Sequence, residues 1–195
     1  SGLFKEFDEN YIWVMQGWSL RKDIATAVSK DKLLILDLKG EAWERFEGYW
    51  GYSFIAGTLH NFGARMNIRG DIGIIASNKF KTIQKKYPNI SGTGLFMEGI
   101  GQNPIYYDLA FDMLASSDIV DPYEWIKGYC KRRYGVDSET AVSVWHRLLE
   151  IVYVPGSDGV LKGGSIICTR PALDSKGTGP CDNFYDYYDN RELIT

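Results

Sequence analysis

Residues 92–103 read Gly92-Thr93-Gly94-Leu95-Phe96-Met97-Glu98-Gly99-Ile100-Gly101-Gln102-Asn103. An apolar run ends in a lone carboxylate, Glu98, then passes into a glycine-loosened loop. The residues after Asn103 read as a helix. A strand followed by a loop and a helix, with an acid at the strand's C-terminal end, is how an α/β barrel presents a catalytic carboxylate at its mouth. The competing reading is a loop glutamate with no chemistry, because a placed acid is only a probabilistic sign of a site.

Working backward, the same pattern recurs. Residues 11–16 are a short β-rich apolar run that leads to Gln16-Gly17-Trp18. Residues 33–38, Leu-Leu-Ile-Leu-Asp-Leu, are continuously apolar, which suits a strand buried on both faces of a parallel sheet. Residues 52–59 form a third candidate strand and deliver His60-Asn61-Phe62-Gly63. A short helix fits 21–29, and another lies within 71–86, with Pro88 placed to end it. Each strand thus ends in a polar or aromatic cluster, the pattern of a βα barrel's functional rim.

Forward of Asn103 the pattern turns helical. Residues 104–115 carry apolar positions at helical spacing. Asp121-Pro122 marks a helix start, with Asp as cap and Pro at the first helical position. Trp125, Ile126, Tyr129 and Cys130 share one face of that helix, and Gly135 ends it. Asp137 or Ser138 caps the next helix, where Ala141, Val144, Trp145, Leu148, Leu149 and Val152 repeat at three and four. Residues 155–183 are rich in Gly, Pro and Ser and read as a loop or domain connection. The boundary falls near 117, with α/β material over 1–117 and all-helical material over 118–195.

Composition narrows the function. The chain has 195 residues, fewer than the roughly 250 of a complete α/β barrel. A net charge of −3 gives no reason to expect nucleic acid as a partner. No apolar run reaches membrane-spanning length, and no targeting segment is visible. Nucleotide-binding glycine loops and the G-x-S-x-G and H-E-x-x-H motifs are missing, so no cofactor is implied. With two histidines, and Cys130, Cys168 and Cys181 in no C-x-x-C pair, no metal site is implied either. Cys168 and Cys181 are free thiols or a pair; Cys130 fits a helical core position. Asn89-Ile90-Ser91 matches the glycosylation pattern. The basic run Lys131-Arg132-Arg133 reads as a solvated helix end.

Three strand ends carry candidate ligands besides Glu98. Trp18 is either the wall of a sugar subsite or a core residue capping the barrel. Asp37 and Glu41 either accept substrate hydroxyls or serve in a loop salt bridge or as a cap. His60 and Asn61 either grip a hydroxyl or amide, or are satisfied structural groups.

Taken in order, Gln16-Gly17-Trp18, Leu33 to Leu38, Leu59-His60-Asn61-Phe62-Gly63, Gly92-Thr93-Gly94, Glu98 to Asn103, Arg132-Arg133-Tyr134-Gly135-Val136 and Arg170-Pro171-Ala172-Leu173 resemble the α-N-acetylglucosaminidase family, glycoside hydrolase family 89. The likeness runs from about residue 11 to 173. It implies the second half of a (β/α)8 catalytic barrel followed by an all-helical domain. The implied activity is retaining exo-hydrolysis of terminal α-linked N-acetylglucosamine from glycans, in a secreted, periplasmic or lysosomal setting. The family's E-G-I-x-Q-N motif places the nucleophile at Glu98. By the same resemblance Trp18 is a pocket wall, His60 and Asn61 lie near the sugar, and Asn103 caps the following helix and orients Glu98. The acid/base belongs to an earlier strand, upstream of Gln-Gly-Trp. Glu6 and Glu9 stand too close to that strand to serve, so the acid/base and the N-terminal half of the barrel are expected from other sequence. One departure is Ile55-Ala56-Gly57-Thr58, smaller than the aromatic-rich segment of the lysosomal member. The alternative is a non-catalytic carbohydrate-binding or structural fragment.

Overall fold

A computed structural model describes residues 6, 12–60, 68–98, 103–116, 118–155, 173, 189 and 191–192. Four strands form one sheet: β1 (Trp13–Gln16), β2 (Leu33–Asp37), β3 (Ser53–His60) and β4 (Ile90–Met97), in the order β1-β2-β3-β4. β1 pairs parallel with β2, Trp13 opposite Leu33, and β2 pairs parallel with β3, Leu34 opposite Ser53. The ends of β3 and β4 are matched by two long bonds. Phe54 N–H donates to Asn89 O at 3.4 Å, and Glu98 N–H donates to His60 O at 3.4 Å. N-terminal ends therefore meet, C-terminal ends meet, and this pair is parallel too. Strand order follows chain order without reversal, as in a βα barrel and unlike a doubly wound sheet.

The helices are α1 (Lys22–Ala25), α2 (Ile72–Ala76), α3 (Lys79–Lys86), α4 (Pro104–Ala115), α5 (Pro122–Tyr134) and α6 (Glu139–Ile151). α1 is shorter than the 21–29 span expected. The single helix expected within 71–86 is two helices. Asn78 adopts φ +50° between them, a left-handed conformation that Asn tolerates, and its amide donates to Ser116 O at 3.2 Å. Caps set the later helices. Asp121 accepts from Tyr123 N–H, and Gly135 at φ +73° closes α5. Ser138, rather than Asp137, caps α6 by accepting from Ala141 N–H; Asp137 instead pairs with Lys131 at 2.9 Å.

The chain forms two compact units, Ser1–Leu59 with Phe80–Phe96 and His60–Lys79 with Met97–Thr195. The first is built on Leu33, Ile35, Phe54 and Ala56 of β2 and β3, packed with Tyr49, Tyr52 and Ile83. β2 is less enclosed than its unbroken apolar run suggests: Leu33, Ile35 and Asp37 are buried, whereas Leu34 and Leu36 are only half-buried. In the second unit α2 packs on α4 and α5, and α5 on α6. Cys130 is buried in α5, and burial pushes its thiol up. Asn61, Cys168 and Cys181 lie outside the described residues.

Candidate active site

In the first unit, β1 and β2 end at a pocket of about 240 Å3 lined by Gly17, Trp18, Asp37, Leu38, Lys39, Glu41, Ala42 and Arg45. Gly17 donates its N–H to Leu36 O at 2.8 Å. A Cβ there would lie 3.0 Å from both Leu36 O and the Tyr49 hydroxyl, so any side chain would press on these two neighbours. Trp18 follows immediately and is 44% exposed.

Asp37 is buried and spent locally. Its carboxylate accepts from the backbone N–H of Glu41 (3.3 Å), Ala42 (3.0 Å) and Trp43 (3.0 Å), which ties down the turn after β2. Of the two readings of Asp37, the geometry is that of a cap. Burial raises its pKa, and the nearby Tyr49 hydroxyl and the three amides only partly counter this. The Tyr49 hydroxyl is itself buried and, among the described residues, closes no hydrogen bond of standard geometry. Burial, and secondarily the charge of Asp37, holds it well above the usual phenol range. Glu41 takes the loop ion-pair role, 3.4 Å from Lys39.

In the second unit, His60 closes β3 and Glu98 follows β4. The Glu98 side chain is exposed, and its backbone N–H is held by the His60 carbonyl. The His60 ring is 1% exposed. Its Nδ1 lies 3.0 Å from the Tyr107 hydroxyl and its Nε2 lies 3.0 Å from Arg69 O. Tyr106 stacks on the ring at 4.4 Å. While these contacts stand, neither ring nitrogen is available to a sugar hydroxyl. Asn103 occupies the cap position of α4, but its side chain makes no cap hydrogen bond. Its Oδ1 instead accepts from Arg69 N–H (3.0 Å) and the Tyr153 hydroxyl (2.8 Å).

Trp18 thus belongs to the first unit, and His60 and Glu98 to the second. Arg69, Tyr106, Tyr107 and Tyr153 were not foreseen. The tyrosines sit at helical spacing or in a helix-end run, where an aromatic reads as core; the only pointer was their proximity to Asn103-Pro104 in sequence.

A family model described as the alpha-N-acetylglucosaminidase (NAGLU) tim-barrel domain matches residues 3–117, and one for the alpha-N-acetylglucosaminidase C-terminal domain matches residues 125–195. The human alpha-N-acetylglucosaminidase is 32% identical over 163 residues, covering 75% of this chain and 22% of that protein. A Clostridium perfringens family 89 glycoside hydrolase, solved with two Glu→Gln substitutions in complex with its substrate GlcNAc-α-1,4-galactose, is 28% identical. It superposes with a TM-score of 0.82 over 96% of this chain and 22% of its own. The same enzyme has been solved with 2-acetamido-1,2-dideoxynojirmycin and with PUGNAc, at the same similarity. The chain therefore spans about a fifth of the length of these relatives. The parallel sheet with its helices is part of an α/β barrel, continued by a helical region. On these matches, the chain belongs to the α-N-acetylglucosaminidase family, glycoside hydrolase family 89.

Proposed function

We propose that this chain supplies the nucleophile side of a retaining exo-glycosidase that removes terminal α-linked N-acetylglucosamine from glycans. The observation that carries the reading is Glu98: an exposed carboxylate directly after a parallel strand, its backbone tied to the end of the neighbouring strand. Substrate and inhibitor complexes of the bacterial relative support the substrate class.

In this reading the Glu98 carboxylate attacks the anomeric carbon. The glycosidic C–O bond breaks, and the leaving oxygen takes a proton from a second carboxyl. The resulting glycosyl ester is then cleaved by water, which the second carboxylate deprotonates, so two inversions restore the α configuration. Such pairs stand about 5–5.5 Å apart. The second carboxyl is assigned to the part of the relatives' length that this chain does not match, and the chain alone is expected to be inactive. By the family resemblance alone, Trp18 is assigned as an apolar sugar wall, and His60 and Asn61 as residues near the sugar. The barrel segment is assigned to 1–117 and the helical domain to 118–195. Among the described residues no helix is long and apolar enough to cross a membrane. A secreted, periplasmic or lysosomal location is proposed from the family.

The test is hydrolysis of an activated aryl α-N-acetylglucosaminide by the full-length parent carrying Glu98→Ala. Turnover should fall by several orders of magnitude, and azide should restore it with a β-glycosyl azide as product. Undiminished turnover without azide would remove Glu98 from the chemistry. Sugar binding with no hydrolysis by the unsubstituted parent would favour a carbohydrate-binding role instead.

A further inference from the structure

We propose that Tyr107 positions Glu98 by acting through His60. The inference rests on Glu98 being the nucleophile and adds a residue that does not touch the sugar. A carbonyl oxygen only accepts, so the 3.0 Å contact between His60 Nε2 and Arg69 O requires the proton on Nε2. A neutral ring with that tautomer carries its lone pair on Nδ1, so the Tyr107 hydroxyl donates there. The ring is therefore fixed at both nitrogens and on the face that Tyr106 covers.

The same residue's carbonyl receives the Glu98 N–H, so fixing the ring also fixes the peptide that holds Glu98. Arg69 extends the tie. Its carbonyl takes the His60 proton and its N–H donates to Asn103. The chain on either side of residues 99–102 is thereby anchored to one residue. Gly70 allows the close pass: it sits at φ +130°, and a Cβ there would meet the Tyr106 ring at 2.6 Å. Tyr107 lies in the first turn of α4, and its hydroxyl meets His60 from the Nδ1 side. It is a positioning residue: the reacting atoms belong to Glu98.

The experiment is a double-mutant cycle in the full-length parent. Tyr107→Phe removes one oxygen and keeps the ring. In the unsubstituted background kcat on the aryl substrate should fall about 10–100-fold, the scale of a small misplacement of a reacting group, with KM within about threefold. In the Glu98→Ala background the azide-rescued rate should change by less than about twofold, because no carboxylate remains to be positioned. Tyr153→Phe, which acts on the other flank through Asn103, should show the same dependence on Glu98 and provides a second arm should Tyr107→Phe fold poorly. Equal losses with and without the Glu98 carboxylate would mark these hydroxyls as general structural supports and overturn the proposal while leaving the nucleophile in place. No loss from either substitution would also overturn it. Failure of azide to rescue Glu98→Ala would instead remove the reading on which it stands.

Discussion

At the end of β2, Asp37 turns its oxygens onto three backbone amides, and that commitment has measurable consequences. Asp37→Asn would face those amides with an NH2 group in place of one acceptor, leaving a buried donor unmatched. The expected cost is about 1–3 kcal/mol, read as a lowered unfolding midpoint of the whole protein. The pH dependence runs opposite to that of a salt-bridged acid. Because the folded pKa is raised above 3.8, the native state keeps a proton over a window in which the unfolded chain has lost it. Stability from this group is greatest below the unfolded value and declines as pH rises through the folded one. The midpoint gap between the protein and Asp37→Asn should therefore narrow with rising pH, and a widening gap would contradict the burial argument. Asp37 also shows how far residue-level reading reaches. Its place at a strand end is plain from the apolar run before it. Whether it faces a ligand or its own backbone depends on where residues 41–43 turn, which no spacing rule encodes. Glu98 was legible as a strand-end acid because a strand, an acid and glycines fall in order. Tyr107 was not, because a tyrosine in a helical pattern has the same signature whether it fills a core or donates one hydrogen bond.

Among the elements, those bounded by strong local chemistry were readable in advance. Pro104, Asp121-Pro122 and Ser138 stand where α4, α5 and α6 begin, and Gly135 stands where α5 stops. The break between α2 and α3 was invisible because it depends on Asn78 reaching Ser116, a partner 38 residues away. A similar long-range tie governs the turn before β3. Glu47, Tyr49 and Trp50 all adopt left-handed conformations there, each at a cost for a residue with a Cβ. Asn89 holds this turn by donating its amide to Gly48 O at 2.8 Å and Tyr52 O at 2.6 Å. The glycosylation pattern at Asn89 is thus occupied by structure, since the nitrogen a glycan would need is already engaged. Protein made in a secretory host should carry no glycan at Asn89, as read from the mass of its peptide before and after glycan removal. Asn89→Ala should lower the unfolding midpoint by the equivalent of about 1–3 kcal/mol. Full glycan occupancy in folded protein would disprove this account of the turn.

At the scale of the whole molecule, the sheet of the described residues has β1 at its edge. β1 is the first strand of the order, and Ile12 and Val14 beside and within it are more than half exposed. Unpaired strand edges recruit other strands. The 195-residue chain produced alone should self-associate in sedimentation experiments, and Val14→Lys should shift it toward the monomer. Unchanged association in that variant would clear β1 of responsibility. The division of the chain has its own consequence. The first unit is interrupted: it ends at Leu59, resumes at Phe80, and is whole only at Phe96. A chain emerging from the ribosome thus delivers most of that unit, then twenty residues (60–79) that belong elsewhere, and only afterwards α3 and β4. At about 5–20 residues per second, this detour lasts roughly 1–4 s, during which β3 waits without its second neighbour. The interval is a natural opening for a chaperone, and synonymous changes to translation speed within codons 60–79 would lengthen or shorten it.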